Sequence, residues 1–376
     1  MTTTPPTAPP DGPKGDGPTV SHPRDEAAGR PVPVLLAGDD FVLNSLLVEA
    51  LHAQSGPSAW DVRTLELPWP HVPFGPVAEV DEASGSEQEM IEALAGARVC
   101  LTQMAPLTAR VLDACPDLEL FAVSRGGPVN ADLAAATARG VRVTFAPGRN
   151  AESTAEHTLA LMLAAMRRLP HAQDSMRAGR WDSGFYAYDA TGLEIAGSVV
   201  GLVGCGAVGA RVARALHALG AEVLVADPYT DPATLPPGAR LVSLPELLAS
   251  SSVVSLHARL TEETAGLIDA AALAAMPRGS VLVNCARGGL LDYEALTAAL
   301  AEGHLFAAGL DVFDEEPLAA DHPLRSASNA VLSPHLAGAS RATARRAATM
   351  VAAEAGRWLR GDAPLHCANP QVLESR

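Results

Sequence analysis

One segment constrains this chain more than any other: Gly201-Leu-Val-Gly204-Cys-Gly206-Ala-Val-Gly209. It follows a strand-like run, Val199–Val203, and opens a stretch with helical spacing, Val208–Leu219. A glycine triplet alone is a weak signal, but between a strand and a helix each glycine has a task. Gly204 permits a tight turn, Gly206 lets the backbone approach a pyrophosphate with no Cβ in the way, and Gly209 lets helix and strand pack closely. The helix N-terminus then offers free N–H groups and a partial positive charge to phosphates. The next strand, Ala221–Ala226, ends at Asp227, 18 residues after Gly209. A carboxylate there accepts from the 2′- and 3′-hydroxyls of an adenosine ribose and repels a 2′-phosphate. The residues that follow, Pro228-Tyr-Thr-Asp, supply no cation to hold such a phosphate. The segment therefore reads as a dinucleotide site with NAD favoured and NADP disfavoured.

The rest of the chain has the rhythm of an α/β fold. Strand-like runs occur at Val34-Leu-Leu-Ala, Val99–Thr102, Leu118–Val123 and Val141–Thr144, with helical patterns at Phe41–His52, Glu87–Ala95, Leu107–Ala114 and Ala131–Arg139. A second series adds strands near Val253–Leu256, Val281–Asn284, Ala307–Asp311 and Ala330–Ser333, a helix at Tyr293–Ala301, and a final amphipathic helix, Arg341–Leu359. Buried strands alternating with helices predict parallel sheets covered on both faces. Ala155–Arg168 reads as a long apolar core helix bounded by Pro170, or alternatively as a hinge or dimer contact. Leu67–Pro76 must be an irregular loop, because its prolines forbid regular pairing. Residues 1–30 are rich in Pro, Thr, Gly and Asp and are expected to form a disordered tail.

With 376 residues the chain suits two domains, and a formal net charge of −16 argues against a nucleic-acid partner. A local arginine can still hold an anionic substrate. The five cysteines are odd in number and form no CxxC pair, so neither disulfides nor a metal site is expected. No secretory segment is visible, and the longest uncharged stretch, Ile195–Ala210, reads as a strand and glycine turn rather than a membrane span. A cytoplasmic location fits these features.

Three residues suit hydride chemistry on a 2-oxo acid. That reaction needs a group to fix the substrate carboxylate, one to polarise the carbonyl and one to deliver a proton. Arginine suits the first two tasks and histidine the third, with a carboxylate to orient the imidazole. Arg287, Glu316 and His335 all stand at strand ends downstream of the glycine loop, the edge where open α/β sheets bind ligands. Singly, each has an ordinary alternative: a cap or ion-pair arginine, one more surface acid, a turn histidine.

Together these motifs carry a resemblance. The chain resembles the D-isomer-specific 2-hydroxyacid dehydrogenases, which include phosphoglycerate, glycerate, glyoxylate/hydroxypyruvate and D-lactate enzymes. The matching segments are Asn150–His157, the glycine loop, His257–Thr264, Val283–Gly288, Gly309–Pro317 and Ser333–Gly338. The resemblance implies two doubly wound parallel-sheet domains with a cleft between: a flavodoxin-like substrate domain of residues 31–150 plus 338–376, and a Rossmann NAD-binding domain of residues 151–337. It implies interconversion of a small anionic 2-oxo acid and its (R)-2-hydroxy acid. Arg287 would be the substrate ligand, Glu316 the partner of the histidine and His335 the proton donor or acceptor. Gly204, Gly206, Ala207, Val208 and Gly209 would surround the pyrophosphate and Asp227 the ribose. His257, Cys285, Ala286, Asp311 and Gly338 would complete the cofactor site. Ser124, Arg125, Gly126 and Gly127 would cradle the substrate carboxylate. Family members are usually homodimers through the cofactor domain, and closure of the cleft excludes water.

Some features depart from the family pattern. Arg259 stands where proline is usual, and Arg125 is a second additional cation; either could face a further anionic group. Trp181–Asp189, with Phe185, Tyr186 and Tyr188, reads as packing or as a substrate or subunit contact, and the first 60 residues match only in pattern. Two other readings remain at the level of sequence: an NAD-sensing protein of the corepressor kind, and a phosphite-type dehydrogenase. Formate is disfavoured because the formate enzymes place glutamine where Glu316 stands.

Overall fold

In a computed structural model that describes residues 30–69 and 75–374, the strand-like runs gather into two parallel sheets. Apart from Arg30, the expected N-terminal tail lies outside the described residues, as does the middle of the proline-rich loop. The first sheet contains β1 (Val32–Gly38), β2 (Trp60–Glu66), β3 (Val99–Thr102), β4 (Leu120–Val123) and β5 (Arg142–Phe145), in the order β2-β1-β3-β4-β5. That is the doubly wound order of flavodoxin-like sheets. Its helices are α1 (Asn44–Ser55), α2 (Glu87–Leu94), α3 (Ala109–Ala114) and α4 (Leu133–Ala138). Alternation along each strand divides the core in two. Leu35, Cys100, Phe121 and Val143 pack beneath Met90, Leu94, Val111 and Ala136. Val34, Leu36, Leu101 and Leu120 face the opposite way, toward Leu47 and Leu51 of α1.

The second sheet follows α5 (Ala151–Met166) and α6 (Leu169–Arg177). Its strands are β6 (Val199–Val203), β7 (Glu222–Ala226), β8 (Ala239–Leu241), β9 (Val253–Leu256), β10 (Ser280–Asn284), β11 (Leu305–Leu310) and β12 (Ala330–Leu332), ordered β12-β11-β10-β9-β6-β7-β8. This is the Rossmann order with one strand added at the edge. One face is covered by α5 and α7 (Gly209–Ala218), the other by α8 (Leu244–Ser250), α9 (Ala270–Ala275) and α10 (Tyr293–Ala301). The last helix, α11 (Arg341–Arg360), returns to the first sheet and lies along α1 and against β3, β4 and β5. Its buried stripe, Ala347, Ala348, Val351, Ala352, Ala355 and Trp358, completes that core. Ser340 caps its N-terminus by accepting from the Thr343 N–H, and Gly361 ends it at φ 81°.

Every strand-like run named from sequence forms a strand, but β2 and β8 went unnamed. Both lie at sheet edges, where a half-exposed strand lacks the apolar run of a central one. The expected long helix forms as α5, which ends at Met166, and Pro170 stands just beyond it, in the first turn of α6 after Arg168 at φ 50°, a position where its missing N–H costs nothing. Helix α1 starts later than expected because Asp39 Oδ1 accepts from the Phe41 and Val42 N–H groups at 2.9 and 2.7 Å and holds those residues in a turn.

Candidate active site

The glycine loop lies where β6 parts from β9, the switch point at which strand order reverses. Gly204 has φ 98°, and a Cβ on it would come within 2.8 Å of the Ala258 nitrogen. A Cβ on Gly209 would meet the Gly204 carbonyl oxygen at 2.4 Å. Gly206 differs: its φ is ordinary and, among the described residues, nothing lies within 4 Å of where a Cβ would be. Four described glycines have neither a left-handed backbone nor a neighbour to exclude a side chain: Gly75, Gly126, Gly127 and Gly206. Three of the four fall in the two loops expected to cradle ligand groups, so the space their missing side chains leave is free for something outside the chain. The residues therefore fit a bound dinucleotide at Gly206.

Asp227 closes the turn from β7. Its Oδ2 accepts from the Cys205 N–H at 2.8 Å and its Oδ1 from the Tyr229 N–H at 2.9 Å. Burial alone would raise its pKa, but these N–H groups and Thr230 outweigh it and hold the carboxyl below its usual range. An ionised Asp227 keeps lone pairs free for ribose hydroxyls. His257 flanks Gly204 and Gly209; its Nε2 lies 3.0 Å from the Ser255 hydroxyl, and burial pushes its pKa down to about 4, leaving it neutral.

Arg287 follows β10 on a braced loop. The buried Asn284 amide donates to the Arg287 carbonyl at 3.0 Å and accepts from the Ala286 N–H at 3.0 Å. The Arg287 side chain is exposed, and its Nη1 donates to the Ala286 carbonyl at 2.7 Å. A Cβ on Gly288 would fall 1.8 Å from the Phe313 carbonyl oxygen, so glycine is required to seat the arginine loop against the loop that carries Glu316. Glu316 Oε1 accepts from the Phe313 N–H at 3.0 Å, and Oε2 meets His335 Nδ1 at 2.7 Å. Burial would raise the Glu316 pKa, but the hydrogen bonds from His335 and Phe313, with the charges of His335 and Arg287, set it below normal. The same bond to Glu316 raises the His335 pKa, against an opposing effect of burial. A carboxylate only accepts, so Nδ1 carries the proton and Nε2 is left for chemistry. His335 stands at φ 55°, a strained conformation for a non-glycine residue, and exposes 52 % of its side chain.

The remaining expected residues take less direct places. Cys285 is buried beside Thr158 and its pKa is pushed up to about 12. A Cβ on Gly338 would lie 2.8 Å from Asn150 Nδ2, so the two chain crossings between the sheets touch there. Ser124 is fully buried. Arg125 is engaged by Glu82, both by an ion pair and by a 3.1 Å hydrogen bond to the Glu82 carbonyl. Arg259 is exposed, and among the described residues its guanidinium makes no ion pair.

Sequence reasoning missed Asp39 and Arg149. Arg149 follows β5, yet its guanidinium carbon lies 5.8 Å from the Phe41 ring beyond β1. Those strands stand three places apart, about 14 Å at ordinary spacing, so the loops that follow β1 and β5 approach each other at the carboxyl edge of the sheet. Burial, then the charge of Arg125, lowers its pKa to about 10, and burial raises that of Asp39 to about 6. Among the described residues, Asp39 Oδ2 and Arg149 Nε and Nη1 are buried with no hydrogen-bond partner. No spacing pattern marks such a pair; it arises from loops of two distant strands.

Residues 159–337 match the family described as D-isomer specific 2-hydroxyacid dehydrogenase, NAD binding domain. The chain is 44 % identical over 283 residues to the D-3-phosphoglycerate dehydrogenase of Mycobacterium bovis, covering 74 % of this chain and 52 % of that protein. It thus spans about half the length of that relative. It is 38 % identical over 298 residues to the glyoxylate reductase of Korarchaeum cryptofilum, covering 79 % of this chain and 90 % of that protein. The crystal structure of the TT0316 protein from Thermus thermophilus superposes with a TM-score of 0.72 at 34 % identity, over 89 % of this chain and 99 % of the other. With a flavodoxin-like and a Rossmann sheet, a glycine loop at the switch point and relatives matched over most of its length, the chain belongs to the D-isomer specific 2-hydroxyacid dehydrogenase family.

Proposed function

We propose that this protein interconverts a small 2-oxo acid and its (R)-2-hydroxy acid with NAD as cofactor. The observation that carries the reading is the His335–Glu316 pair at 2.7 Å, held next to the Arg287 loop by the glycine contact at Gly288. When bound, the nicotinamide supplies or takes the hydride at C2. Gly204, Gly206, Ala207, Val208 and Gly209 would hold the pyrophosphate and Asp227 the ribose, with His257, Cys285, Ala286, Asp311 and Gly338 on the remaining walls. Asp227 is ionised and would repel a 2′-phosphate, which supports NAD over NADP.

The chain's own groups divide the work. Arg287 fixes the substrate carboxylate and polarises the carbonyl through its planar cationic fork. The Ser124–Gly127 loop presents its backbone to the same carboxylate. His335, whose cationic form Glu316 favours, gives a proton from Nε2 to the forming alkoxide in reduction and takes it back in oxidation. The apolar side chains exposed between α5 and β6, Leu169 (55 %), Met176 (57 %), Trp181 (82 %), Tyr186 (86 %) and Tyr188 (91 %), support a homodimer formed through the cofactor domain. Five unpaired cysteines support a cytoplasmic setting.

The reading is tested with His335→Gln and Arg287→Ala. His335→Gln is expected to lower the rate of 2-oxo acid reduction by about 10²-fold or more with NADH binding unchanged. Arg287→Ala is expected to lower kcat and raise KM together. Wild-type rates in either variant would remove the assigned roles.

A further inference from the structure

The Asn150–His157 segment and Ser333 stood out in the sequence, yet the chemistry proposed above uses neither. In the structure they meet behind the candidate proton donor. Ser333 Oγ lies 2.6 Å from Asp311 Oδ1 and 2.9 Å from His157 Nε2, and that nitrogen is 3.3 Å from the same carboxylate oxygen. Asp311 is fully buried. Its carboxylate can only accept, so the single Ser333 proton goes to Asp311. Ser333 Oγ is then left to accept, and His157 must carry its proton on Nε2.

Asp311 spends its other capacity on the loop that carries His335. Oδ1 accepts from the Leu336 N–H and Oδ2 from the Ala337 N–H, each at 2.8 Å, and its backbone carbonyl accepts from the His335 N–H at 2.8 Å. Three consecutive residues thus hang on one aspartate. His335 is the one at φ 55°, and strain of that kind persists only where neighbours over-determine it. His157 supplies the outer support, from the helix that begins where the chain first passes between the two sheets.

We propose that His157 is a positioning residue for His335, acting through Ser333 and Asp311. This rests on the dehydrogenase reading. The Asp311 carboxylate needs donors on the side away from the loop to keep both oxygens aligned with Leu336 and Ala337. Remove His157, and Ser333 is free to turn toward water, the carboxylate rotates, and the imidazole loses its aim at the substrate oxygen. In this chain of bonds only Asp311 also lines the proposed cofactor site, while His157 and Ser333 stand behind it, so the loss on removing His157 falls chiefly on the proton-transfer step.

The test uses the full chain with His157→Leu, His157→Gln, Ser333→Ala and the Leu/Ala double variant. The His157→Leu variant is expected to lose about 10- to 100-fold in kcat, the scale of a small misplacement of a reacting group. KM for the 2-oxo acid and Kd for NADH should move less than about threefold, as for an interaction realised only in the transition state. The solvent deuterium isotope effect on kcat should rise, because proton delivery becomes slower. His157→Gln, whose amide N–H can reach Ser333, should recover most of the rate, and the double variant should be no worse than the worse single one. In proton NMR, the downfield His335 Nδ1–H signal should shift or broaden in His157→Leu and be restored in His157→Gln. An unchanged kcat and unchanged Nδ1–H signal overturn the proposal. So does a loss shared by kcat, NADH binding and melting temperature without a change in isotope effect, which marks a structural role alone. Failure of the dehydrogenase reading shows separately, as absence of turnover in the wild-type protein, and the NMR comparison then still decides whether His157 positions the loop.

Discussion

His335 concentrates the residue-scale account: a left-handed backbone, an exposed ring edge and a carboxylate 2.7 Å from Nδ1. Glu316 raises its pKa, and the sign of the consequence follows. A raised folded-state pKa keeps the imidazolium populated to higher pH, so its contribution is complete below the ordinary histidine value and is lost as pH rises through the raised one. Reduction of a 2-oxo acid should therefore decline along an alkaline limb set by His335. Glu316→Gln removes the charge and should move that limb to lower pH, with a loss of about tenfold or more at neutral pH. A pH–rate profile of kcat/KM checks this, and an unmoved limb would separate Glu316 from the titration. The glycines offer a paired test. Gly206→Ala places a methyl where the protein has only open space, so NADH binding should weaken by about tenfold, roughly 1.4 kcal/mol, with little change in melting temperature. Gly209→Ala drives a Cβ toward the Gly204 carbonyl and should instead cost about 1–3 kcal/mol of stability. Calorimetric titration and thermal melts distinguish the two.

At the scale of elements, what the sequence made legible follows burial. Central strands are apolar on both faces and announce themselves; β2 and β8, at the edges, do not. The glycine loop and Asp227 stand out by residue type and spacing, and Arg287, Glu316 and His335 by residue type at strand ends, while their tasks belong to the proposed function. The second tier does not stand out. Asn284 braces the Arg287 loop, but an asparagine at a strand end looks like any turn residue. Gly288 owes its identity to the Phe313 backbone, a contact between loops of neighbouring strands that no local pattern records. Asp39 and Arg149 come together only because β1 and β5 share a sheet edge. Arg125, expected to cradle the substrate carboxylate or to face a further anionic group, is held by Glu82, a partner more than forty positions away in sequence. Local chemistry is written in the sequence; the pairing of loops belongs to topology.

For the whole molecule, two crossings join the sheets, and they touch at Asn150 and Gly338. Helix α5 leads from one crossing to His157, while the other crossing follows directly from the loop of His335. The elements that link the two units and the loop that carries His335 are thus continuous, so under the proposed function a movement of one unit against the other would reach His335 without a separate relay. Under the proposed function a hydride moves to C2 of a 2-oxo acid. The most direct measurement follows NADH consumption with aliphatic, sugar-acid and aromatic 2-oxo acids and determines the chirality of the product. Stoichiometric NADH oxidation with at least one of them and a product of (R) configuration are expected, both lost in His335→Gln. Binding of NADH without turnover of any 2-oxo acid, or formation of the (S) product, would contradict the proposed function.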